Sequence, residues 1–433
     1  MKHRTFLFPI LIPAAIAAFL FIDPCLFCKT KPKKFEIDLN KLLYPPSGET
    51  VKKDAPYLKP YTDFLENIYE KMDTEYYLPV SKKTYEEFVE YYRDNILARL
   101  KDKQNVLPEI KYLGAGLLVK KLKDPNDTFS NFYPPFEAEE FKSTVLGYEL
   151  GLGITGRMAD TGYVIERVEL RSDAYAKGIR ASDIIKTISG KSVQEMSEDE
   201  LKNNLFPPLG ATVELGVYSY KRKKVSLFKI TVIEFFKETL SSVPTGIPGM
   251  FYVKINQFNK KTGEDLERLV DFFTRKGMKR LVIDLRDNAG GPPLAARQIA
   301  GIFLPPNEPL FSFRRKNRPE ITLKTPYSPI NYKGEIAIII NHGSGSASEL
   351  FSGTMRSYRK ACLIGERSAG KTFLKSMFRF DDNSMLLLTT SLTYLYSGKT
   401  FDSAGLKPDF TVMDESISFF PFVNKCMDSF YEK

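Results

Sequence analysis

Residues 280–291 read RLVIDLRDNAGG, an apolar run followed by polar residues and a glycine pair. The apolar run predicts a buried strand, and the glycine pair predicts a turn in which backbone amides can approach a ligand closely. Another predicted strand, residues 250–255, and an amphipathic helix, residues 263–275, precede it, and residues 294–303 predict a helix after it. This alternation of strands and helices indicates an α/β core.

The same core continues towards the C-terminus. Residues 334–340 predict a strand that leads into residues 343–349, which read GSGSASE. Taken alone, this stretch is typical of a flexible turn before a helix that starts near Ser348, and Ser348 is then the best candidate for the N-cap. Further along, residues 376–380 and 385–390 alternate between apolar and polar positions and predict a β-hairpin.

The rest of the chain divides by pattern into three further segments. Residues 1–34 form a leader, and residues 35–146 predict a helical N-terminal module with the lead-in to the core, because apolar residues recur there at spacings of three and four. Residues 147–236 contain short alternating runs between glycine and aspartate turns, which predict a compact β-rich domain. We therefore predict a multidomain α+β protein whose α/β core and C-terminal tail occupy residues 237–433. The N-terminal helices could serve as a surface for homo-oligomerisation.

The leader indicates export. An uncharged run, residues 5–22, follows Lys2 and Arg4 and precedes a cluster of lysines. Its length is close to the minimum for a bilayer span and also fits a signal peptide. We favour an uncleaved membrane anchor, with lipidation at Cys25 or Cys28 left open, and a location in the cell envelope, membrane-tethered or periplasmic.

Composition argues against several other classes of protein. The net charge is +10, but the basic residues are spread along the chain and interleaved with acidic ones, so no nucleic-acid partner is predicted. Four cysteines in a chain of 433 residues do not indicate a disulfide framework. With two histidines and few suitably spaced cysteines, no metal site is predicted, and no organic cofactor is implied.

The two histidines also restrict how a serine could be activated. His3 lies in the leader, and His342 lies just before Ser346 in the same turn, where the chain would have to fold back sharply for the ring to reach that hydroxyl. A Ser-His-Asp triad is therefore not expected. A lysine whose pKa is lowered by burial can take the serine proton instead, and Lys371 follows in the next glycine-rich turn, GERSAGK at residues 365–371.

The start of the β-rich segment resembles the carboxylate-binding loop of PDZ domains. In that loop, glycines let successive backbone N–H groups point towards one anion, and the following strand edge can pair with an extended peptide. Residues 172–179, 182–185 and 189–193 follow in the order of the successive helix, strand and turn of that family. The resemblance implies a site for apolar C-terminal tails of proteins at Leu150, Gly151, Leu152, Gly153 and Ile154.

Together, the PDZ-like segment, DLRDNAGG, the serine turn and GERSAGK occur in the order found in carboxyl-terminal processing peptidases, the tail-specific proteases of family S41. The similarity runs from about residue 124 to residue 412, and it implies a core of the kind shared with Clp protease and crotonase. By resemblance, Ser346 is the nucleophile and Lys371 is the general base. The oxyanion amides would be those of Ala347 and of either Gly290 or Gly291.

One position departs from the family pattern. A glutamine that helps to position the lysine is common where this chain has Lys375. If the two ammonium groups lie close together, repulsion would lower the pKa of Lys371 and favour the neutral base. The same charge could equally displace Lys371.

Two alternatives to a peptidase stay open from the sequence. A PDZ scaffold with weak or no proteolysis would explain Lys375 and keep the tail-binding loop. A P-loop nucleotide-binding protein would explain residues 365–372, which match the form G-x-x-x-x-G-K-T. A P-loop requires a helix directly after it, and the sequence here predicts a strand.

Overall fold

A computed structural model describes residues 38–44, 55–207, 209–398, 400, 404–411 and 419–432. The chain separates into two compact units. The first comprises the described residues up to Glu139 with Phe313–Ile321 and Phe373–Thr393, and the second comprises Glu140–Ser312, Thr322–Thr372 and the described residues from Tyr394 onwards. The predicted leader lies outside the described residues. Within the described ranges, none of the helices combines the length and apolar character that a membrane span requires.

The helices are α1 Leu39–Leu42, α2 Lys59–Glu75, α3 Lys82–Asn95, α4 Pro108–Leu122, α5 Pro135–Leu146, α6 Asp173–Ala176, α7 Glu198–Leu205, α8 Thr262–Arg275, α9 Pro293–Phe303, α10 Ala347–Ser357 and α11 Phe419–Tyr431, with short 3-10 turns at Pro56–Leu58, Leu97–Arg99 and Val193–Glu195. The strands are β1 Asn131–Tyr133, β2 Tyr148–Gly151, β3 Ile154–Ala159, β4 Gly162–Val168, β5 Ile184–Ile188, β6 Lys191–Ser192, β7 Thr212–Ser219, β8 Lys224–Thr231, β9 Ile233–Phe236, β10 Leu240–Ser241, β11 Met250–Ile255, β12 Arg280–Asp284, β13 Pro309–Arg315, β14 Ile321–Lys324, β15 Glu335–Ile340, β16 Cys362–Gly365, β17 Phe373–Arg379, β18 Met385–Leu395 and β19 Phe410–Thr411.

The first unit is built around helices α2, α3 and α4. Helix α2 buries the apolar residues that recur every three or four positions, so one side of the helix faces the core. Residues from α3 and α4 complete that core. Strand β17 pairs antiparallel with β18, and β1 pairs with β18 as well. The hairpin predicted at residues 376–390 is therefore present, although β17 begins earlier and β18 ends later than predicted.

The segment from β2 to β9 is rich in strands and lies in the second unit. Strands β3, β4, β5, β7 and β8 form one sheet in that order, β6 pairs with β5, and β2 pairs with β9. The sheet covers an apolar core that includes Leu152, Ile165, Ile185 and Leu215. Strands β3 and β8 occupy the two edges of this sheet, and edge strands can accept a further strand.

A second sheet of the second unit carries the α/β core, in the order β10-β11-β12-β15-β16-β19. Strands β11, β12, β15, β16 and β19 are parallel, and β10 is antiparallel to β11. Helix α11 packs on one face of the sheet. Alternate residues on the other face, such as Val253, Leu281 and Ile338, are also fully buried, as expected for a parallel sheet that is covered on both sides.

The helix after the serine turn corrects one prediction. Its first residue is Ala347 and its N-cap is Ser346, so the predicted N-cap at Ser348 is wrong. The Ser348 side chain is fully buried, and its hydroxyl donates to the carbonyl of Asn288 at 2.8 Å. That bond holds Ser348 inside the first helical turn and leaves the capping position to Ser346.

Candidate active site

Three loops meet at one edge of the parallel sheet. Strands β12, β15 and β16 are adjacent and parallel, so their carboxyl ends lie side by side. The loop after β12 carries the glycine pair, the loop after β15 carries the serine turn, and the loop after β16 carries Lys371. The carboxyl edge of an open α/β sheet is the usual place for ligand sites.

Hydrogen bonds distinguish Ser346 from the two serines beside it. The Ser344 hydroxyl donates to the carbonyl of Leu285 at 2.8 Å, and both Ser344 and Ser348 are fully buried. Their hydroxyls therefore serve the packing of the turn. Ser346 is half-buried, with φ 53° and ψ −114°, a backbone conformation that is costly for a residue with a side chain. Such strain at a strand-to-helix turn is typical of a nucleophile held out for reaction.

A buried carboxylate joins the serine turn to the lysine turn. One oxygen of Glu349 accepts hydrogen bonds from the backbone N–H groups of Ser346 and Lys371, both at 2.9 Å. Its other oxygen accepts from the backbone N–H of Gly370 and the hydroxyl of Ser368, both at 2.6 Å. Glu349 is fully buried and lies in the first turn of α10, where a negative charge is favoured.

The sequence interpretation gave Glu349 no role in the site. The signal that could have identified it is the spacing Ser-x-x-Glu, which is typical of a capping box at a helix N-terminus. Because Glu349 accepts from both backbones, it fixes the position of Ser346 and of Lys371 at once.

The Lys371 side chain lies against the serine turn. A Cβ placed on Gly345 would come within 3.0 Å of the Lys371 Cδ atom, so the lysine stem passes beside the residue that precedes Ser346. Burial lowers the pKa of Lys371 to about 8, while the charge of Glu349 opposes that shift. Compared with an ordinary lysine, this pKa raises the neutral fraction near pH 7 by roughly 300-fold. A neutral amine can accept the proton of a serine hydroxyl.

The glycine pair lies directly behind the serine turn. A Cβ on Gly290 would come within 2.9 Å of the Ser346 Cβ and within 3.0 Å of the Ala347 nitrogen, so only glycine allows this approach. The Gly290 N–H donates to the side chain of Asn288 at 2.9 Å. In the part of the chain that the structure describes, the N–H groups of Ala347 and Gly291 donate to no protein acceptor. These two amides therefore remain able to donate to a ligand.

An ion pair between a buried aspartate and a half-buried arginine anchors the loop after β12. Asp284 is fully buried and accepts hydrogen bonds from the Arg286 guanidinium, the shortest at 2.6 Å, and from the Tyr252 hydroxyl at 2.9 Å. The guanidinium also lies over the ring of Phe419 at 4.8 Å from its centroid. A charged pair held by both ion pairing and a ring contact fixes the start of the glycine loop.

His342 does not take part in this arrangement. Its ring is exposed and lies 3.3 Å from the Glu366 carboxylate. In the part of the chain that the structure describes, His342 is thus not placed as the base of a Ser-His-Asp triad, and His3 lies outside the described residues. Residues 365–372 are followed by strand β17 rather than by a helix, so the P-loop alternative lacks the helix N-terminus that holds phosphates.

Lys375 lies on β17 in the first unit, at a register shift between Leu374 and Lys375. Its ammonium group is 3.4 Å from the centre of the Phe129 ring, a cation–π contact within that unit. The sequence allows repulsion from Lys375 as a cause of a lowered pKa at Lys371, but the cause of the lowering is burial of Lys371 itself.

We expect Lys375→Gln to lower the free energy of unfolding by about 0.5 to 2 kcal/mol, because it removes this cation–π contact. A double-mutant cycle with Phe129→Leu, measured by urea unfolding, should give a coupling energy of that size. Strictly additive effects would contradict the contact. We also expect the pH dependence of kcat/KM in Lys375→Gln to have the same midpoint as in the unchanged chain, because burial rather than a neighbouring positive charge lowers the pKa of Lys371.

The predicted tail-binding loop spans the end of β2 and the start of β3. Gly151 and Gly153 have φ of 137° and 69°, conformations that favour glycine. Leu152 and Ile154 point into the core at 1% and 5% exposure. A Cβ on Gly151 would lie 3.4 Å from the Phe206 ring. Strand β3 continues from this loop along an open edge of its sheet.

The core is similar to known proteins. Residues 249–412 match the description "peptidase family S41". A probable CtpA-like serine protease of Staphylococcus haemolyticus is 28% identical over 314 residues, which cover 70% of this chain and 61% of the relative. A protein of the same name from Staphylococcus aureus is 28% identical over 68% of this chain and 58% of its own length. The chain therefore spans about three fifths of these curated relatives.

A solved structure supports the same fold. The photosystem II D1 C-terminal processing protease aligns with a TM-score of 0.51 at 18% identity, over 85% of this chain and 97% of that protein. This structural alignment supports the fold described above, with its parallel sheet and the helices around it. The resemblance to carboxyl-terminal processing peptidases that the sequence indicated is confirmed, and residues 249–412 of this chain carry the match to peptidase family S41.

Proposed function

We propose that this chain is a serine endopeptidase in which Ser346 is the nucleophile and Lys371 is the general base. The observation that carries the proposal is the Glu349 carboxylate, which holds the backbones of both residues. The strained backbone of Ser346 and the lowered pKa of Lys371 are consistent with these roles.

The reaction follows from these groups. Neutral Lys371 removes the proton of the Ser346 hydroxyl as its oxygen bonds to the carbonyl carbon of the scissile peptide. The backbone N–H groups of Ala347 and Gly291 stabilise the oxyanion that forms. The Lys371 ammonium then returns the proton to the leaving amine, and an ester remains on Ser346. Water, deprotonated by Lys371, then attacks the ester carbonyl; the bond to the Ser346 oxygen breaks, the Lys371 ammonium returns the proton to that oxygen, and the second product leaves as a carboxylic acid.

Substrates would be selected through the loop from Leu150 to Ile154. A PDZ-like domain here would bind the terminal carboxylate of a protein at the loop, while the apolar tail adds a strand beside β3. The positive φ of Gly151 and Gly153 supports this proposal. The substrates would be exported proteins with apolar C-terminal tails, and the hydrophobic leader would keep the enzyme in the cell envelope, tethered to the membrane. The N-terminal helical module would remain available for homo-oligomerisation, and the core would be of the Clp protease and crotonase kind.

One experiment separates this proposal from its alternatives. The full chain is incubated with an unfolded protein that ends in an apolar tail and with the same protein ending in two aspartates, each with and without ATP. Cleavage of the apolar-tailed protein without ATP supports a tail-specific peptidase. Binding of the tail without cleavage supports a PDZ scaffold, and a strict requirement for ATP supports a nucleotide-dependent protein. Equal cleavage of both substrates would contradict selection by the tail.

The pH dependence of kcat/KM should report the Lys371 base. Because only the neutral amine accepts a proton, kcat/KM should rise roughly tenfold per pH unit below the pKa and level off above it. With the pKa of Lys371 lowered to about 8, the midpoint should lie near pH 8. Circular dichroism across the same range controls for unfolding. A profile that is flat through this range, or that falls, would count against a lysine base.

A further inference from the structure

A β-hairpin in the second unit carries the densest run of exposed positive charge that the structure describes. Strands β7 and β8 are antiparallel, with Ser219 paired to Lys224, and the turn between them includes Lys223 at φ 53°. We define the basic hairpin as residues 218–227. Its tip contains Lys221, Arg222, Lys223 and Lys224, and all four residues are exposed.

The three lysines of this tip are not neutralised by nearby carboxylates. The Arg222 guanidinium contacts the carbonyl of Gly178 at 3.3 Å and lies over the Phe228 ring. In the described part of the chain, no ion pair joins Lys221, Lys223 or Lys224 to an acidic side chain. Their charges therefore face solvent together.

Apolar side chains surround the charged tip. Tyr220, Val225 and Leu227 are exposed to 60%, 54% and 67%, large values for such residues on one short hairpin. Val225 and Leu227 are two positions apart on β8, so both point to the same face of the sheet. Tyr218 is paired with Val225, and its ring packs edge-on against Tyr220 with centroids 5.4 Å apart.

We propose that the basic hairpin docks on an anionic lipid surface. Lysines at the tip would contact negatively charged headgroups, while Tyr220, Val225 and Leu227 enter the boundary between headgroups and acyl chains. Charge complementarity selects this occupant, and the aliphatic residues beside the charges favour a lipid boundary over a purely acidic protein partner. The uncharged run at residues 5–22 of the same chain is consistent with a protein that works at a membrane. The proposal does not depend on catalysis.

The absence of tryptophan from the sequence allows a clean test. Tyr220→Trp introduces a single emitter at the hairpin, and Tyr327→Trp introduces one at a site that is 79% exposed and outside it. Each full-length variant is reconstituted by detergent removal into vesicles of phosphatidylcholine alone or of phosphatidylcholine mixed with phosphatidylglycerol. The leader experiences the same bilayers in both variants, so it cannot account for a difference between the two reporters.

We expect the emission of the Tyr220→Trp variant to shift to the blue, and to be quenched by brominated lipid, only in vesicles that contain phosphatidylglycerol. Added salt should reverse the shift, because it screens the attraction. Emission of the Tyr327→Trp variant should remain that of an exposed residue. Replacement of Lys221, Lys223 and Lys224 by Gln in the Tyr220→Trp background should abolish the shift. The matched control, replacement of the exposed Lys260, Lys276 and Lys279 by Gln, should preserve it.

Several results would overturn the proposal. One is a blue shift of the Tyr220→Trp emission that is equally large in neutral vesicles, and another is the lack of a shift in either kind of vesicle. A third is an equal loss of the shift in the two triple-lysine variants, which would indicate an effect of net charge alone. A different partner would be identified by poly-glutamate. If low concentrations of it displace the hairpin from anionic vesicles, and if poly-glutamate alone gives the same blue shift, the partner is an acidic polypeptide instead.

Discussion

Ser346→Ala is expected to lower kcat/KM by a factor on the order of 10⁴ to 10⁶, because the variant has no oxygen to form the acyl-enzyme. Lys371→Ala should have a comparable effect, and the double variant should be little worse than either one, since nucleophile and base act as a unit. Lys371→Arg should be equally inactive, because a guanidinium keeps a positive charge but does not lose its proton in this pH range. The measurement is cleavage of an apolar-tailed substrate at pH 9 and at pH 7.

The two neighbouring serines provide matched controls. Ser344→Ala and Ser348→Ala remove hydroxyls that donate to the carbonyls of Leu285 and Asn288. Each should lower the free energy of unfolding by about 0.5 to 1.5 kcal/mol, because a buried hydrogen bond is lost while the carbonyls of Leu285 and Asn288 each keep a backbone N–H partner. Each should keep measurable cleavage at temperatures where it is folded. If Ser346→Ala cleaves normally and one of these controls does not, the assignment of the nucleophile is wrong.

Glu349→Gln is expected to lower kcat/KM by about 10²-fold or more, although it changes only one atom of the side chain. The Glu349 carboxylate only accepts hydrogen bonds in this site, from the backbones of Ser346, Gly370 and Lys371 and from the Ser368 hydroxyl. An amide offers one oxygen and one NH₂ group, so its NH₂ must face at least one backbone N–H. The two turns would then lose their common anchor.

The pH-rate profile separates this positioning role from general destabilisation. The negative charge of Glu349 raises the pKa of Lys371, so its removal should move the remaining activity to lower pH. Glu366→Gln is the matched control, since Glu366 is exposed and lies in the loop between β16 and Lys371. That variant should keep normal activity and an unshifted profile. A Glu349→Gln variant whose activity falls only in proportion to its folded fraction would contradict a role in positioning.

The α/β core could be predicted from the sequence because its signals are local. The apolar run of residues 280–284 and the periodicity of residues 263–275 define β12 and α8 without reference to the rest of the chain. Ser346 and Lys371 could be identified as candidates because each lies in a glycine-rich turn after an apolar strand. Resemblance then gave their order a chemical meaning.

Other features depend on contacts between distant parts of the chain. The sequence spacing favoured Ser348 as the N-cap, but the carbonyl of Asn288, on a different loop, holds its hydroxyl inside the helix. The contact between Lys375 and Phe129 likewise joins residues far apart in sequence. The spacing Ser-x-x-Glu could have indicated that Glu349 caps its helix, but the bonds from Glu349 to the lysine turn become visible only when the turns after β15 and β16 are brought side by side. No local pattern specifies such pairings.

Trapping the acyl-enzyme tests the central claim most directly. The full-length chain is mixed with an apolar-tailed substrate at pH 9, quenched in acid during turnover, digested, and sequenced by tandem mass spectrometry. The account predicts that the acyl part of the substrate is bound as an ester to Ser346, in a peptide that also contains unmodified Ser344 and Ser348. Cleavage with the acyl group on another residue, or stable binding of the tail with neither cleavage nor adduct, would contradict it.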